Sequence, residues 1–286
     1  METSVLIAGA GPTGLAAALA LTSHQIPVTI IDPVIERSPF SKALAFNPRS
    51  QELLEASGVT AAIRREAREI TGVRLHNSKK TFLAINFDCD FPGDALKHDW
   101  ALADLRVDES AWRSDAFNKA HLIREGKRFV FVLPVSPGIL RIVSDDEAVL
   151  DDLPALVRET TPQEVVWQSQ FRISHRQVPH YQHGNLFLAG DAAHIHSPVG
   201  GRGMNMGIED AFCLADCIGQ ETPEDYHRIR HAYGKQAIRL IKAQTRFATN
   251  HSLFTNLATQ LLGPILFRSR KVQTEFARRN LGLQHA

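Results

Sequence analysis

The chain has 286 residues, 44% of them apolar and 22% charged, with 32 Lys+Arg against 31 Asp+Glu. That is enough apolar chain for one large domain or two modest ones, and the balanced charge gives no electrostatic case for a nucleic-acid partner. Three cysteines, Cys89, Cys213 and Cys217, are too few for a disulfide framework, have no partner at metal-ligand spacing, and read as core residues. The apolar N-terminus lacks a basic segment and is broken by glycines, so the expectation is a soluble, cytoplasmic chain with no membrane span.

Ser4 to Ala8 reads as a buried strand, followed by Gly9-Ala10-Gly11-Pro12-Thr13-Gly14 and an alanine-rich helix. Pro27 to Asp32 reads as a second buried strand, which completes a β-α-β unit with parallel strands. Residues 48 to 69 look helical in two pieces, with Gly58 ending the first. From Gly72 the texture changes to short strands: 72–87 as a pair around Asn77-Ser78-Lys79, then 99–108, 127–135, 138–145 and 164–174. Ser136-Pro137-Gly138 is a tight-turn signature, and a helix is expected over Asp146 to Thr160. This block reads as an antiparallel sheet with one helix. Gly184 onward returns to a buried strand that breaks at Gly190-Asp191 and leads, through four glycines between Gly200 and Gly207, into helices broken at Pro223 and Gly263-Pro264.

Gly9, Gly11 and Gly14 fit G-x-G-x-x-G between a strand and a helix, with Asp32 ending the second strand 18 residues on. The first glycine permits the turn, the second lets backbone approach a pyrophosphate, and the third lets the helix pack on the strand. Phosphates would meet free N–H groups at a helix N-terminus, and the Asp32 carboxylate can accept from a ribose diol. This arrangement does not separate NAD from FAD. His194 and His196 form a His-x-His pair with no further ligands at a useful spacing, so they read as packing histidines with no metal.

"NLFLAGDAAHIHSPVGGRGMNMGIEDA", "GAGPTG" and "KALAFNPRSQELLEASG" resemble the FAD-binding motifs of the single-component flavoprotein aromatic hydroxylases, the group of p-hydroxybenzoate and phenol hydroxylases. The resemblance implies an α/β fold. A Rossmann-like FAD-binding domain with a parallel sheet is formed by 1–70 and 175–225, an antiparallel substrate-domain sheet is inserted over 71–174, and helices follow over 226–286. It implies a monooxygenase that uses FAD, NAD(P)H and O₂ to hydroxylate a small aromatic substrate, phenolic or polyketide-like, and leaves open whether the protein forms an oligomer. The implied FAD contacts are Gly9, Gly11, Pro12, Thr13, Gly14 and Asp32, and Arg49 at the pyrophosphate. Gly190 and Asp191 fall at the ribityl chain; Pro198, Gly200, Gly201 and Gly203 fall along the flavin ring, and Met204 and Asn205 offer backbone N–H groups to its pyrimidine edge. A helix N-terminus aimed at that edge stabilises the negative charge of reduced flavin. The resemblance names no catalytic residue. Arg202 departs from the family's usual Gln; it would either add positive charge near the flavin or point to solvent. Arg172, His175 and Arg176 read as architectural.

The resemblance has a gap. The family carries an Asp-Gly motif between its two FAD motifs, and this chain has no Asp-Gly dipeptide. "LAINFDCD" resembles sequence before that segment and "DFPGDALKHDWALADLRVD" sequence after it, which puts a seam near Asp88-Cys89-Asp90 and implies missing strands in the parallel sheet. Two alternatives follow: an FAD-binding relative that has lost hydroxylation, or a non-enzymatic truncated fragment.

Overall fold

The structure, a computed structural model, describes residues 4–34, 36, 43, 45–67, 70, 72–77, 81–86, 99–108, 119–125, 128–172, 175–196 and 201–248. The chain divides into two compact units, one of residues 1–63 with 174–243 and one of residues 64–173 with 244–286.

The first unit opens with β1 (Val5–Ala8), α1 (Pro12–Ser23) and β2 (Val28–Ile31), and β1 and β2 pair in parallel with Ile7 opposite Ile30. Two short helices follow, α2 (Pro48–Glu55) and α3 (Val59–Glu66), separated at Gly58, whose φ of +75° is a left-handed value that glycine adopts without strain. Asn47 caps α2, its side chain accepting from the Ser50 N–H at 2.8 Å. The two strands are not buried on both faces, as their apolar sequences suggested. Val5, Ile7 and Val28 face the helices, while Leu6 (65% exposed) and Ile31 (52%) lie on the open side. Among the described residues the parallel ladder has two strands only, so helices cover one face.

In the second unit the strands run β3 (Gly72–Asn77), β4 (Thr81–Asn86), β5 (Asp99–Arg106), β6 (Ala120–Glu125), β7 (Arg128–Ser136), β8 (Ile139–Ser144) and β9 (Glu164–Arg172). They form one sheet in the order β4-β3-β6-β7-β8-β5-β9. Its pairs are antiparallel except β3 with β6, which is parallel, and β6 is a strand that the sequence reading missed. Its "AHLIRE" stretch carries polar residues that hide the alternation. Gly138 takes φ +73° in the expected turn between β7 and β8. The helix expected over Asp146 to Thr160 is instead a 3₁₀ turn at Glu147–Leu150 and a single helical turn, α4 (Ala155–Arg158). Pro154 precedes α4 as its N-cap and cannot continue a helix from the preceding turn. Val149 and Val157 from these turns pack on Ala103, Leu105, Val130, Val132 and Ile142, which form the core on one face of the sheet.

The chain returns to the first unit through β10 (Arg176–Gln177), β11 (Gln182–His183), β12 (Leu186–Phe187) and β13 (His194–Ile195). The strand expected before Gly190 is thus two residues long and pairs antiparallel with β11. Two long helices follow, α5 (Arg202–Gly219) and α6 (Asp225–Ala248), with Pro223 in the break between them. Ala16, Ala17, Ala20 and Leu21 of α1 meet Ile208, Ala211 and Ala215 of α5. Small side chains at this contact let the helix axes approach closely, which brings the N-terminal ends of both helices into one region. No helix among the described residues is long and apolar enough to cross a membrane.

Candidate functional site

The glycine-rich turn has the geometry its spacing predicts. Gly9 takes φ +114° and donates its N–H to the Ile31 carbonyl at 2.8 Å. A Cβ at Gly14 would collide with the Gly9 carbonyl, so the third glycine is needed for helix-to-strand packing. A Cβ at Gly9 or Gly11 would meet nothing within 4 Å, which leaves the outer side of the turn open to a ligand. Gly11 is the N-cap of α1 in an extended conformation, with Pro12 next, no side-chain cap and no acid in the first turn. That is a helix end whose N–H groups and dipole favour an anion. Asp32 sits beside it and binds backbone: Oδ2 accepts from Ala10 N–H and Oδ1 from Val34 N–H, each at 2.7 Å. These two donors hold its carboxyl below the usual aspartate range.

The Gly190-Asp191 pair lies in a 3₁₀ turn, Gly190–Ala192, with Gly190 buried at φ +59° and Asp191 exposed. Thr13, from the first motif, is wedged against it. A Cβ on Gly190 would come within 2.6 Å of Thr13 Oγ1, and one on Gly207 would collide with the same atom. The two glycine-bearing motifs therefore interlock through Thr13. Gly201 begins α5 in the left-handed region (φ +58°), with no side-chain cap and no acid in the first turn, so among the described residues α5 presents a second uncapped N-terminus.

Beneath the turn lies an ionic cluster that sequence reasoning did not single out. Asp210, 1% exposed, accepts the Gly190 N–H at 3.0 Å and the His194 Nε2 donor at 2.6 Å on Oδ2, and Arg230 Nε at 2.6 Å on Oδ1. Arg230 also reaches Glu209 Oε2 and the Met206 carbonyl, and stacks 4.4 Å over the Tyr233 ring. Burial raises the Asp210 carboxyl, but Arg230, His194 and the Gly190 N–H outweigh it and hold the group below its usual range. Burial raises Glu209 in spite of Arg230 and Arg202. The available signal was an acid among Ile208 and Ala211 on the apolar face of a helix; Arg230 gave none.

Asn205 is buried, and its side chain acts as a staple. Nδ2 donates to the carbonyls of Ala45 (2.8 Å) and Gly201 (2.6 Å), and Oδ1 accepts from Asn47 N–H at 3.0 Å. It ties the start of α2, which carries Arg49, to the start of α5, which carries Gly201, Gly203 and Met204. Arg49 itself is half-exposed and pairs with Glu52 at 3.1 Å. Arg202 does not point to solvent: it is buried and donates from Nη2 to Tyr233 at 2.9 Å, because the first turn of α5 packs against α6. Pro198 and Gly200 lie outside the described residues, as does Cys89. Cys213 and Cys217 pack with Tyr181 and Tyr226, and burial pushes the Cys213 thiol up to about 12. No group of three His, Cys, Asp or Glu residues among the described ones could hold a metal ion.

An open glycine turn, two helix N-termini with no side-chain cap and no acid in their first turns, and an exposed Asp191 on an interlocked turn fit a pyrophosphate-bearing dinucleotide. Comparison with known proteins agrees. Residues 2–125 and 84–247 match the FAD binding domain family. A 6-methylpretetramide 4-monooxygenase of Streptomyces rimosus is 26% identical over 307 aligned residues, covering 74% of this chain and 54% of that protein. A pentachlorophenol 4-monooxygenase of Sphingobium chlorophenolicum is 26% identical over 361, covering 87% and 66%. The chain thus spans about half to two thirds of the length of these relatives. Both alignments are longer than the chain itself, so each relative has many internal residues with no counterpart here. The structure of a p-nitrophenol 4-monooxygenase from Pseudomonas putida DLL-E4 has the same fold, with a TM-score of 0.79 at 16% identity, over 98% of this chain and 99% of that one. The glycine turn, the Gly-Asp turn and the family match over most of the chain lead to one conclusion: this protein belongs to the FAD binding domain family.

Proposed function

We propose that the protein is an FAD-dependent monooxygenase that hydroxylates a small aromatic substrate, phenolic or polyketide-like, with NAD(P)H as reductant, and that it works in the cytoplasm. The observation that carries this reading is the interlock of the two FAD motifs through Thr13, with no side-chain cap on the N-terminus of α1 or α5. FAD, when bound, supplies the redox chemistry that passes electrons from NAD(P)H to O₂ and delivers one oxygen atom to an electron-rich ring. The protein's part is binding and electrostatics. The N–H groups at the start of α1 would meet the pyrophosphate, with Arg49 adding positive charge; Asp32 would accept from the ribose diol and Asp191 from the ribityl hydroxyls. The start of α5, from Gly201 to Asn205, would meet the pyrimidine edge, where its dipole would stabilise negative charge.

A second reading is favoured by the internal residues that the relatives have and this chain lacks. In it the chain binds FAD but does not turn over NAD(P)H. A visible spectrum of the purified chain, followed by NAD(P)H oxidation with phenolic substrates and product analysis, separates the two. Flavin with substrate-stimulated, product-forming oxidation supports the first reading. Flavin without oxidation supports the second, and failure of the chain to bind FAD at all sinks both.

A further inference from the structure

We propose that Asp210 is a positioning residue for flavin binding: from inside α5 it fixes the backbone of the Gly190-Asp191 turn, and so sets where the Asp191 carboxylate stands. The proposal rests on the FAD reading above.

Gly190 is left-handed and buried, and a single turn of that kind has few anchors of its own. Its carbonyl accepts the Ala193 N–H at 2.9 Å within the turn, whereas its N–H points inward to Asp210 Oδ2. That bond is a direct polar link from the turn to α5. Thr13 packs against the same glycine from the other side and fixes its position sterically. Asp210 is itself held on both oxygens, by His194 two residues beyond the turn and by Arg230 from α6. The carboxylate is therefore charged, fully partnered and unable to swing toward a ligand. Its contact with the ligand is indirect, through one N–H whose orientation decides the path of the next residue, Asp191.

One buried carboxylate oxygen receives both the Gly190 N–H and the His194 donor while the other receives Arg230. An uncharged amide in its place would turn its NH₂ either on Arg230 or on both Gly190 and His194, so a carboxylate alone satisfies all three donors. The cluster could also have been merely a stabilising ion network between helices. The two roles differ in whether the effect on flavin depends on Asp191.

The test is a double-mutant cycle on the full chain, with FAD dissociation constants read from quenching of flavin fluorescence and folding checked by circular dichroism. Asp210→Asn is expected to weaken FAD binding about tenfold, the scale of one hydrogen bond to a charged group. In an Asp191→Ala background the same change is expected to cost less than about twofold, because the carboxylate it positions is gone. An equal loss in both backgrounds, or no loss in either, overturns the proposal. If Asp210→Asn does not fold, His194 serves instead. His194→Gln keeps a donor and is expected to retain affinity, whereas His194→Ala is expected to lose it severalfold; equal affinities for these two overturn the proposal. Absence of FAD binding by the unsubstituted chain is a separate result, which removes the FAD reading and this proposal with it.

Discussion

Both carboxylate oxygens of Asp32 already accept a backbone N–H, from Ala10 and Val34, so a ribose diol would share them. The residue's first effect is thus on the turn that binds the pyrophosphate, and its depressed carboxyl sets a sign. A lowered folded-state value contributes stability above the unfolded aspartate range, and that contribution disappears as pH falls through the folded value. The melting temperature of the native chain should exceed that of Asp32→Asn at neutral pH, with the gap closing toward acid; a gap independent of pH would mean that the carboxylate charge plays no part. Asp191 is the contrasting case, exposed and outside the turn's packing. Asp191→Ala should lower flavin occupancy while changing the unfolding free energy of the apo chain by no more than about 0.5 kcal/mol. Full occupancy with unchanged affinity would remove Asp191 from the site.

Elements meet in this protein at small residues, and one such junction can be tested directly. Gly207 on α5 and Gly190 press on the same Thr13 side chain of α1. Gly207→Ala should destabilise the chain by about 1–3 kcal/mol, the usual cost of overpacking a rigid contact. Thr13→Ala in the same chain should recover much of that loss, because the oxygen in the way is removed. Denaturant unfolding of the two single variants and the double variant measures this, and strictly additive losses would place the strain elsewhere. In the second unit, Arg141 binds Asp104 through Nε and Nη2, both at 2.7 Å, across the β5–β8 pair, and lies 5.1 Å from the Trp167 ring. Both residues are buried, so Asp104→Ala leaves a guanidinium without its counter-charge and should cost about 3–5 kcal/mol. A loss below about 1 kcal/mol by the same measurement would mean that water reaches the pair.

For the molecule as a whole, the question is what the missing internal residues do to function. The relatives' alignments include them, and the parallel ladder here has two strands among the described residues, with Leu6 and Ile31 on its open face. The expected consequence is FAD binding weaker than in relatives that have them, by on the order of a hundredfold if two hydrogen bonds to charged groups are lost. Inserting a relative's segment at Cys89 should then raise flavin occupancy and NAD(P)H oxidation together. A 286-residue chain that purifies fully flavinated and oxidises NAD(P)H with product formation at enzyme rates would refute this.

What could be read without a structure was local. G-x-G-x-x-G between a strand and a helix, Gly58 ending α2, Ser136-Pro137-Gly138 closing a hairpin and the Gly-Asp stretch are all set by backbone geometry over a few residues. Such geometry restricts residue type strongly enough to show in one sequence. The fold class and the family were legible for that reason. The rest depends on pairs distant along the chain. Asn205 holds Ala45 and Asn47, Thr13 fills the space left by Gly190 and Gly207, and Asp210 joins Gly190, His194 and Arg230. Each of these residues has an ordinary type at an ordinary position in its own helix or turn. Only the packing of α1, α2, α5 and α6 puts them within hydrogen-bonding or van der Waals distance, and only burial makes their pairing obligatory. The same holds for β6, whose weak pattern becomes a strand because β3 and β7 supply partners on both sides.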